Sequence, residues 1–269
     1  MTKSDLPHPF VSIIIPAYNE GRRLGPALEQ IRRYAERAHL RGEVIVVDDG
    51  STDATAEVAR QGDSGPLRLR VLVNQTNRGK GYSVRRGMQE AAGELLLMTD
   101  ADQSTPIWEI EKALPHLGAG YDVVIGSRDA PDSQISQAQP WYRRMLGWLL
   151  RFFRGRIMLK GIRDTQCGFK LFTRRAGKRI FAEARTDGFA FDCEALLLAC
   201  KLGFRIKEIG VVWCNDADSR VRLLRDSVGM LLSILWIRWR LRRVRSAAAQ
   251  DLAAAEPKAD AKSEAQAET

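Results

Sequence analysis

The sequence predicts an α/β fold, with a mostly parallel sheet covered by helices on both faces. Three observations carry this. Short apolar runs alternate with helical stretches along the first half of the chain. The runs are almost unbroken in apolar character, as strands buried on both faces are. A polar cluster follows nearly every run, which gathers those clusters along the sheet edge where open α/β folds bind ligands.

The elements follow in order. Val11 to Ile15 reads as a buried strand, Leu24 to Leu40 as a helix, and Val44 to Val47 as a second strand. A short helix starts after Asp53, which can cap it. Leu69 to Val73 is a third strand, Gly81 to Ala92 a helix, and Leu95 to Met98 a fourth strand. Ile107 to Leu117 is a helix entered just after Pro106, and Val123 to Ile125 is a fifth strand. The polar clusters are Pro16 to Glu20, Asp48 to Asp53, Asp100 to Thr105 and Gly126 to Arg128.

After Arg128 the pattern changes. Asp129 to Gln139 is turn-rich and is expected to be a mobile loop. Residues 140–156 and 221–245 mix Trp, Leu and Phe with many arginines, as helices lying on an anionic membrane surface do. Core helices with arginine rims would show the same composition. Residues 1–10 are expected as an extension, 11–220 as the folded domain, 221–245 as a second amphipathic helix, and 246–269 as a disordered tail.

A chain of 269 residues, 45% of them hydrophobic, is long enough to bury a sizeable core. Its formal charge is +9, with a tail from Ser246 at −3 and therefore about +12 on the rest. Such a bias suits a phosphate-rich partner. The arginines lie with Trp and Leu at helical spacing rather than among stacking aromatics along a polar groove, which argues against nucleic acid. Cys167, Cys193, Cys200 and Cys214 lack C-x-x-C spacing and nearby histidines, which argues against zinc and a disulfide framework and for a reducing compartment. Neither G-x-G-x-x-G nor G-x-x-x-x-G-K-[ST] is present, which disfavours a hydride carrier and a P-loop NTPase. His8, His39 and His116 lie outside the polar clusters, so a histidine-based triad is not expected. Met1 to Pro9 has no apolar signal region, and no uncharged apolar stretch approaches the ~20 residues of a membrane span.

The chemistry lies in the clusters. Asp100 and Asp102 end the fourth strand one residue apart, so both side chains can face one hard cation that bridges phosphate oxygens. An isolated D-x-D is more often a solvated loop or a helix cap, and it is the surrounding clusters that favour the metal reading. Tyr18 beside Glu20 offers a stacking face next to a carboxylate, and Asp48 and Asp49 can accept hydrogen bonds from a base or a ribose. Asn77-Arg78-Gly79-Lys80-Gly81 opens a helix and can touch phosphate at its amino end.

Taken together, Pro16-Ala17-Tyr18-Asn19-Glu20, Asp48-Asp49-Gly50-Ser51-Thr52-Asp53 and Asp100-Ala101-Asp102 resemble family 2 glycosyltransferases of the Rossmann-like GT-A fold. Gly126-Ser127-Arg128, the run from Arg163 to Phe172, and Gly188 to Glu194 resemble the polyprenyl-phosphate hexosyltransferases among them. The resemblance implies inverting transfer of a hexose from a nucleotide sugar, UDP-glucose by likeness, to a polyprenyl phosphate of dolichyl type at the cytoplasmic membrane face.

By the same resemblance Pro16, Ala17, Tyr18, Glu20, Val47, Asp49 and Asp100 hold the nucleotide, and Asp100 and Asp102 hold Mg²⁺ or Mn²⁺. Asp102 and Arg128 serve the reaction itself, while Arg128, Arg143, Arg220 and Lys170 grip the acceptor phosphate. Each of those cations can equally be a surface residue. Asp192 and Glu194 orient a hydroxyl or a basic partner, or cap the helix that follows. Related mannose-transferring enzymes carry D-A-D-L-Q. Here Gln103 and Ser104 follow Asp102, which leaves the third side-chain ligand open. Two further readings stand beside this one: a family 2 transferase with another nucleotide sugar or a non-lipid acceptor, and an inactive nucleotide-sugar-binding membrane scaffold.

Overall fold

The computed structural model describes residues 10–135, 161–214, 233 and 235–241. Its centre is a seven-stranded sheet in the order β3-β2-β1-β4-β7-β5-β8. The strands are β1 (Val11–Ala17), β2 (Gly42–Asp48), β3 (Arg68–Val73), β4 (Leu95–Met98), β5 (Val123–Ser127), β7 (Lys170–Thr173) and β8 (Ile206–Gly210). Every residue of β1, β2, β4 and β5 is buried, as expected of interior strands covered on both faces. β3, at one edge, is only partly covered.

Side chains alternate between two core layers, as a pleated strand requires. Ile14, Ile45, Val47, Leu96 and Met98 point into one layer, closed by α3 (Lys80–Glu90), α5 (Arg174–Glu183) and α6 (Phe191–Lys201). Ile13, Ile15, Val44, Val46 and Leu97 point into the other, closed by α1 (Leu24–Arg37), α2 (Thr55–Gln61) and α4 (Ile110–Gly118). The α/β architecture and the five expected strands are therefore present, in a mixed, mostly parallel sheet.

The differences from expectation have local causes. α1 stops at Arg37, before Leu40, because His39 takes a positive φ of 49°. Helix formation between Ile107 and Gly118 begins as a 3₁₀ turn, Ile107–Glu109, before α4. Part of the loop after Arg128 is a strand: β6 (Gln134–Ile135) pairs with β9 (Val212–Trp213) in a separate two-stranded sheet. β7 has no counterpart in the sequence reading. It enters antiparallel between β4 and β5, with Lys170 opposite both Met98 and Ile125.

That antiparallel insertion positions the site. The parallel strands open at their carboxyl ends, where Ala17 pairs with Asp48 and Ile14 with Met98. β7 runs the other way, so the residues before it, Asp164 to Phe169, arrive at that same edge. The strand order turns at β1 and β4, which makes the crevice between their ends the expected ligand site.

Of the two helices expected at a membrane surface, residues 140–156 lie outside the described residues. Of residues 221–245, only 233 and 235–241 are described, and they are helical. Ile237 and Leu241 are buried there, Arg240 pairs with the buried Glu194, and Lys201 donates to the Leu241 carbonyl. Leu235, Trp236 and Trp239 are exposed. Among the described residues no helix is long and apolar enough to cross a membrane.

Candidate active site

The crevice is a cleft of about 630 Å³ built from the polar loops. Its first wall is Pro16 to Glu20. Asn19, at φ 55°, accepts from the Thr52 N–H at 2.8 Å and donates its own N–H to Ser51 Oγ at 2.9 Å. Thr55 Oγ1 accepts from the Glu20 N–H at 2.7 Å. The two loops after β1 and β2 are thus laced together by short polar side chains, leaving Tyr18, 43% exposed, on the cleft wall. Arg23 clasps the Glu20 carboxylate at 2.5 Å through both Nε and Nη2 and reaches Asp102 at 4.0 Å.

Asp49 also lines the cleft, but its carboxylate chiefly holds the next loop. It accepts from Asn74 Nδ2 at 2.7 Å, the Arg78 N–H at 3.0 Å and the Gly79 N–H at 2.7 Å. The Asp187 carbonyl takes the Gly81 N–H at 2.7 Å and the Tyr82 N–H at 3.3 Å. The helix amino end read as a phosphate seat therefore has the amides of residues 78, 79, 81 and 82 already satisfied by the chain. What it offers the cleft is the side chain of Lys80, whose ammonium lies 2.6 Å from Asp100 Oδ1.

Asp100 and Asp102 face the cleft together. Burial would push the Asp100 carboxyl up, but Lys80, Lys170 and Arg128 hold it below its ordinary value. Asp102 is pushed up, first by burial and then by the charge of Asp100, although the Ser104 N–H donates to it at 2.9 Å. Gly168 sits so close to Asp100 that a Cβ there would overlap the carboxylate. Two carboxylates, completed by phosphate oxygens and water, form a donor set that suits Mg²⁺ or Mn²⁺, and a cation between them would remove their mutual repulsion. Among the described residues, no three His, Cys, Asp or Glu side chains gather into a metal-binding group. Gln103, at φ 49°, turns back to donate to Thr99 and the Asp100 carbonyl, while Ser104 lines the cleft.

Arg128 forms the far wall. Asp164, fully buried, accepts its Nε at 2.6 Å and its Nη2 at 2.9 Å, and Trp213 lies under the guanidinium at 5.7 Å. Burial alone would raise the Asp164 carboxyl, but Arg128 holds it well below the usual range.

Of the other expected residues, Val47 is a core side chain beneath the cleft. Lys170 is only 1% exposed. It pairs with Asp192 at 2.6 Å and donates to the Cys167 carbonyl, which places it under the cleft floor rather than on its wall. Glu194 accepts from the Arg185 and Thr186 amides besides pairing with Arg240. Arg143 and Arg220 lie outside the described residues.

The sequence reading gave no individual role to Arg23, Lys80, Asp164, Phe189 or Trp213. Lys80 lay within the basic, glycine-rich opening of α3, Asp164 within the run from Arg163 to Phe172 and Phe189 within Gly188 to Glu194, while Arg23 and Trp213 carried no signal. Phe189 and Trp213 close the cleft from the segments before α6 and in β9, which sequence order places far away.

This geometry agrees with what the chain is similar to. The family model described as "Glycosyl transferase family 2" matches residues 12–181. Dolichyl-phosphate beta-glucosyltransferase of Homo sapiens is 34% identical over 261 residues, covering 90% of this chain and 81% of that protein. The Saccharomyces cerevisiae protein of the same name is 33% identical, over 85% of this chain and 74% of its own length. A crystal structure of glucosyl-3-phosphoglycerate synthase from Mycobacterium tuberculosis in complex with Mn²⁺ and UDP-glucose superposes with a TM-score of 0.62 at 18% identity. It covers 84% of this chain and 79% of that one, a likeness of fold. With more than half of its length matched by the family model, and relatives above 30% identity spanning most of it, this chain is a glycosyltransferase belonging to family 2 and resembling the dolichyl-phosphate β-glucosyltransferases.

Proposed function

We propose that this chain transfers glucose from UDP-glucose to a polyprenyl phosphate of dolichyl type, with inversion, at the cytoplasmic face of a membrane. One observation carries the reading. A single cleft presents an aromatic and acidic end, Tyr18 and Glu20, then an acid pair, Asp100 and Asp102, then a fixed cation, Arg128. That sequence of chemistries matches nucleoside, diphosphate and acceptor phosphate in order. The names of the relatives supply the sugar and the lipid.

Tyr18 stacks the base, and Pro16, Ala17 and Asp49 frame the nucleoside. Asp100 and Asp102 would hold Mg²⁺ or Mn²⁺, which neutralises the charge growing on the leaving diphosphate. Arg128 is the residue proposed to grip the acceptor. Because Asp164 occupies its Nε and Nη2, the guanidinium is fixed in orientation, with Nη1 left for a phosphate. A lipid phosphate monoester has a second pKa of about 6, so its oxygen is already largely ionised at neutral pH and needs no strong base. The work left to the protein is to hold two anions in line, which Arg128 and Lys80 do by screening them. Lys170, under the floor, supports the site through Asp192 rather than by contact with the acceptor. The exposed Leu235, Trp236 and Trp239, beside arginines at 238, 240, 242, 243 and 245, would lie against an anionic bilayer.

The test is transfer of label into an organic phase. The protein is incubated with Mn²⁺, short polyprenyl phosphates and labelled UDP-glucose, UDP-galactose, UDP-N-acetylglucosamine or GDP-mannose, with 3-phosphoglycerate as a soluble acceptor in a parallel arm. Label is expected from UDP-glucose into lipid, lost with EDTA or Asp102→Ala. Transfer only to the soluble acceptor, or full transfer by Asp102→Ala, would refute the reading.

A further inference from the structure

Screening of the two anions does not account for where Lys80 sits before they bind. Its ammonium sits 2.6 Å from Asp100 Oδ1, and both side chains line the cleft, about a quarter exposed. The other oxygen of that carboxylate, Oδ2, is packed against Gly168, where a Cβ would overlap it. Gly168 thus backs Oδ2 most closely, and Lys80 occupies Oδ1.

We infer that Lys80 is an internal counter-ion, holding Oδ1 of Asp100 until a nucleoside diphosphate draws the ammonium away, so that divalent cation and nucleotide bind cooperatively. The inference rests on the reading of Asp100 and Asp102 as cation ligands. A divalent ion arriving alone must displace the ammonium. That would strand a largely desolvated cation, because Asp192, whose charge also acts on Lys80, is already paired with Lys170 at 2.6 Å. A diphosphate arriving with the ion gives the ammonium a new partner on the same cleft wall. The four-carbon stem of lysine allows the move by rotation about side-chain bonds, with no shift of the helix. The backbone around Lys80 is pinned, since the Gly79 amide is bound by Asp49 and the Gly81 amide by Asp187, so only the side chain is free to exchange partners. Linkage then requires the effect to be mutual: nucleotide tightens the metal as much as metal tightens the nucleotide.

The experiment is a titration of the full chain with Mn²⁺, following the electron paramagnetic resonance signal of the free ion, with and without saturating UDP. Parent, Lys80→Met and Lys80→Arg are compared, with thermal melts to establish folding. Lys80→Met should bind Mn²⁺ alone at least about fivefold more tightly than the parent, while Lys80→Arg, which keeps the charge, should match it. UDP should tighten Mn²⁺ on the parent at least about tenfold and on Lys80→Met by less. The parent arm alone can overturn the inference, since equal Mn²⁺ affinity with and without UDP contradicts it whether or not the variants fold. If the parent shows UDP-dependent Mn²⁺ binding but Lys80→Met gains nothing for Mn²⁺ alone, the counter-ion role is wrong and the metal reading stands. If the parent binds no Mn²⁺ even with UDP, both are wrong.

Discussion

At the scale of single residues, the cleft is governed by side chains whose partners are fixed before any ligand arrives. Asp164 is fully buried, and its carboxylate takes Arg128 Nε, Nη2 and backbone N–H together with the Gln166 amide. Arg128 holds its carboxyl below the ordinary value, so the folded chain releases this proton more readily than the unfolded chain. The resulting stabilisation is present in full at neutral pH and is lost as pH falls below about 4. Denaturant unfolding of parent and Asp164→Asn should therefore show a stability gap that narrows by about 1 kcal/mol between pH 7 and pH 3. A gap that stays constant or widens would mean that the pair is not ionised as described. Gly168 gives a second residue-scale prediction. Gly168→Ala must push the Asp100 carboxylate aside. Because sub-ångström placement matters where charge develops, transfer should fall by about 100-fold with the melting temperature nearly unchanged. Steady-state rates and a thermal melt check both parts.

At the scale of elements, the site depends on how closely α3 lies on the sheet. Gly87 permits it: a Cβ there would come within 2.5 Å of Ile14 Cγ2 and 3.1 Å of Val47 Cγ2. Gly87→Ala should destabilise by about 1 to 3 kcal/mol and displace Lys80 at the other end of the helix. Gly118, in the last turn of α4, has nothing within 4 Å of such a Cβ, and Gly118→Ala should stabilise by up to about 1 kcal/mol. Chemical denaturation of the two variants should move in opposite directions. The same elements mark what the sequence could reveal. β1, β2, β4 and β5 were legible because each is an apolar run ending in polar residues, a pattern that interior parallel strands impose. β7 was not, because four residues that include a buried lysine carry no period. Its antiparallel entry, on which the placement of Asp164 and Gly168 depends, follows from pairing partners distant in the chain. Lys170 was hard to place for a related reason, since a charged residue reads as surface until its partner is found; Asp192, read as facing a hydroxyl or a basic partner, is that partner, and each buries the other.

At the scale of the whole molecule, the candidate cleft opens at one edge of the sheet, and the stretch 235–241 is tied through Arg240 and Lys201 to α6, the helix that carries Asp192. The loops that meet in the cleft were legible as polar strand ends, and Asp100 with Asp102 was the plainest signal among them. The cations that complete it were harder to see, because Lys80 and Arg23 acquire meaning only from the acids facing them. If Trp236 and Trp239 rest on a bilayer, Trp236→Glu with Trp239→Glu should reduce binding to anionic vesicles by about tenfold or more. Glucosyl transfer to a short, water-soluble isoprenyl phosphate should be unchanged. Sedimentation with vesicles and a parallel transfer assay separate the two, and vesicle binding equal to the parent would move the membrane contact elsewhere. The central claim remains the acid pair. Its most direct test is anomalous diffraction at the manganese edge from crystals soaked with Mn²⁺ and UDP. A single peak is expected in contact with Asp102, Asp100 and the diphosphate oxygens, with Lys80 turned onto phosphate. UDP bound in the cleft with no peak at Asp100 and Asp102, and Lys80 still on Asp100, would contradict the account.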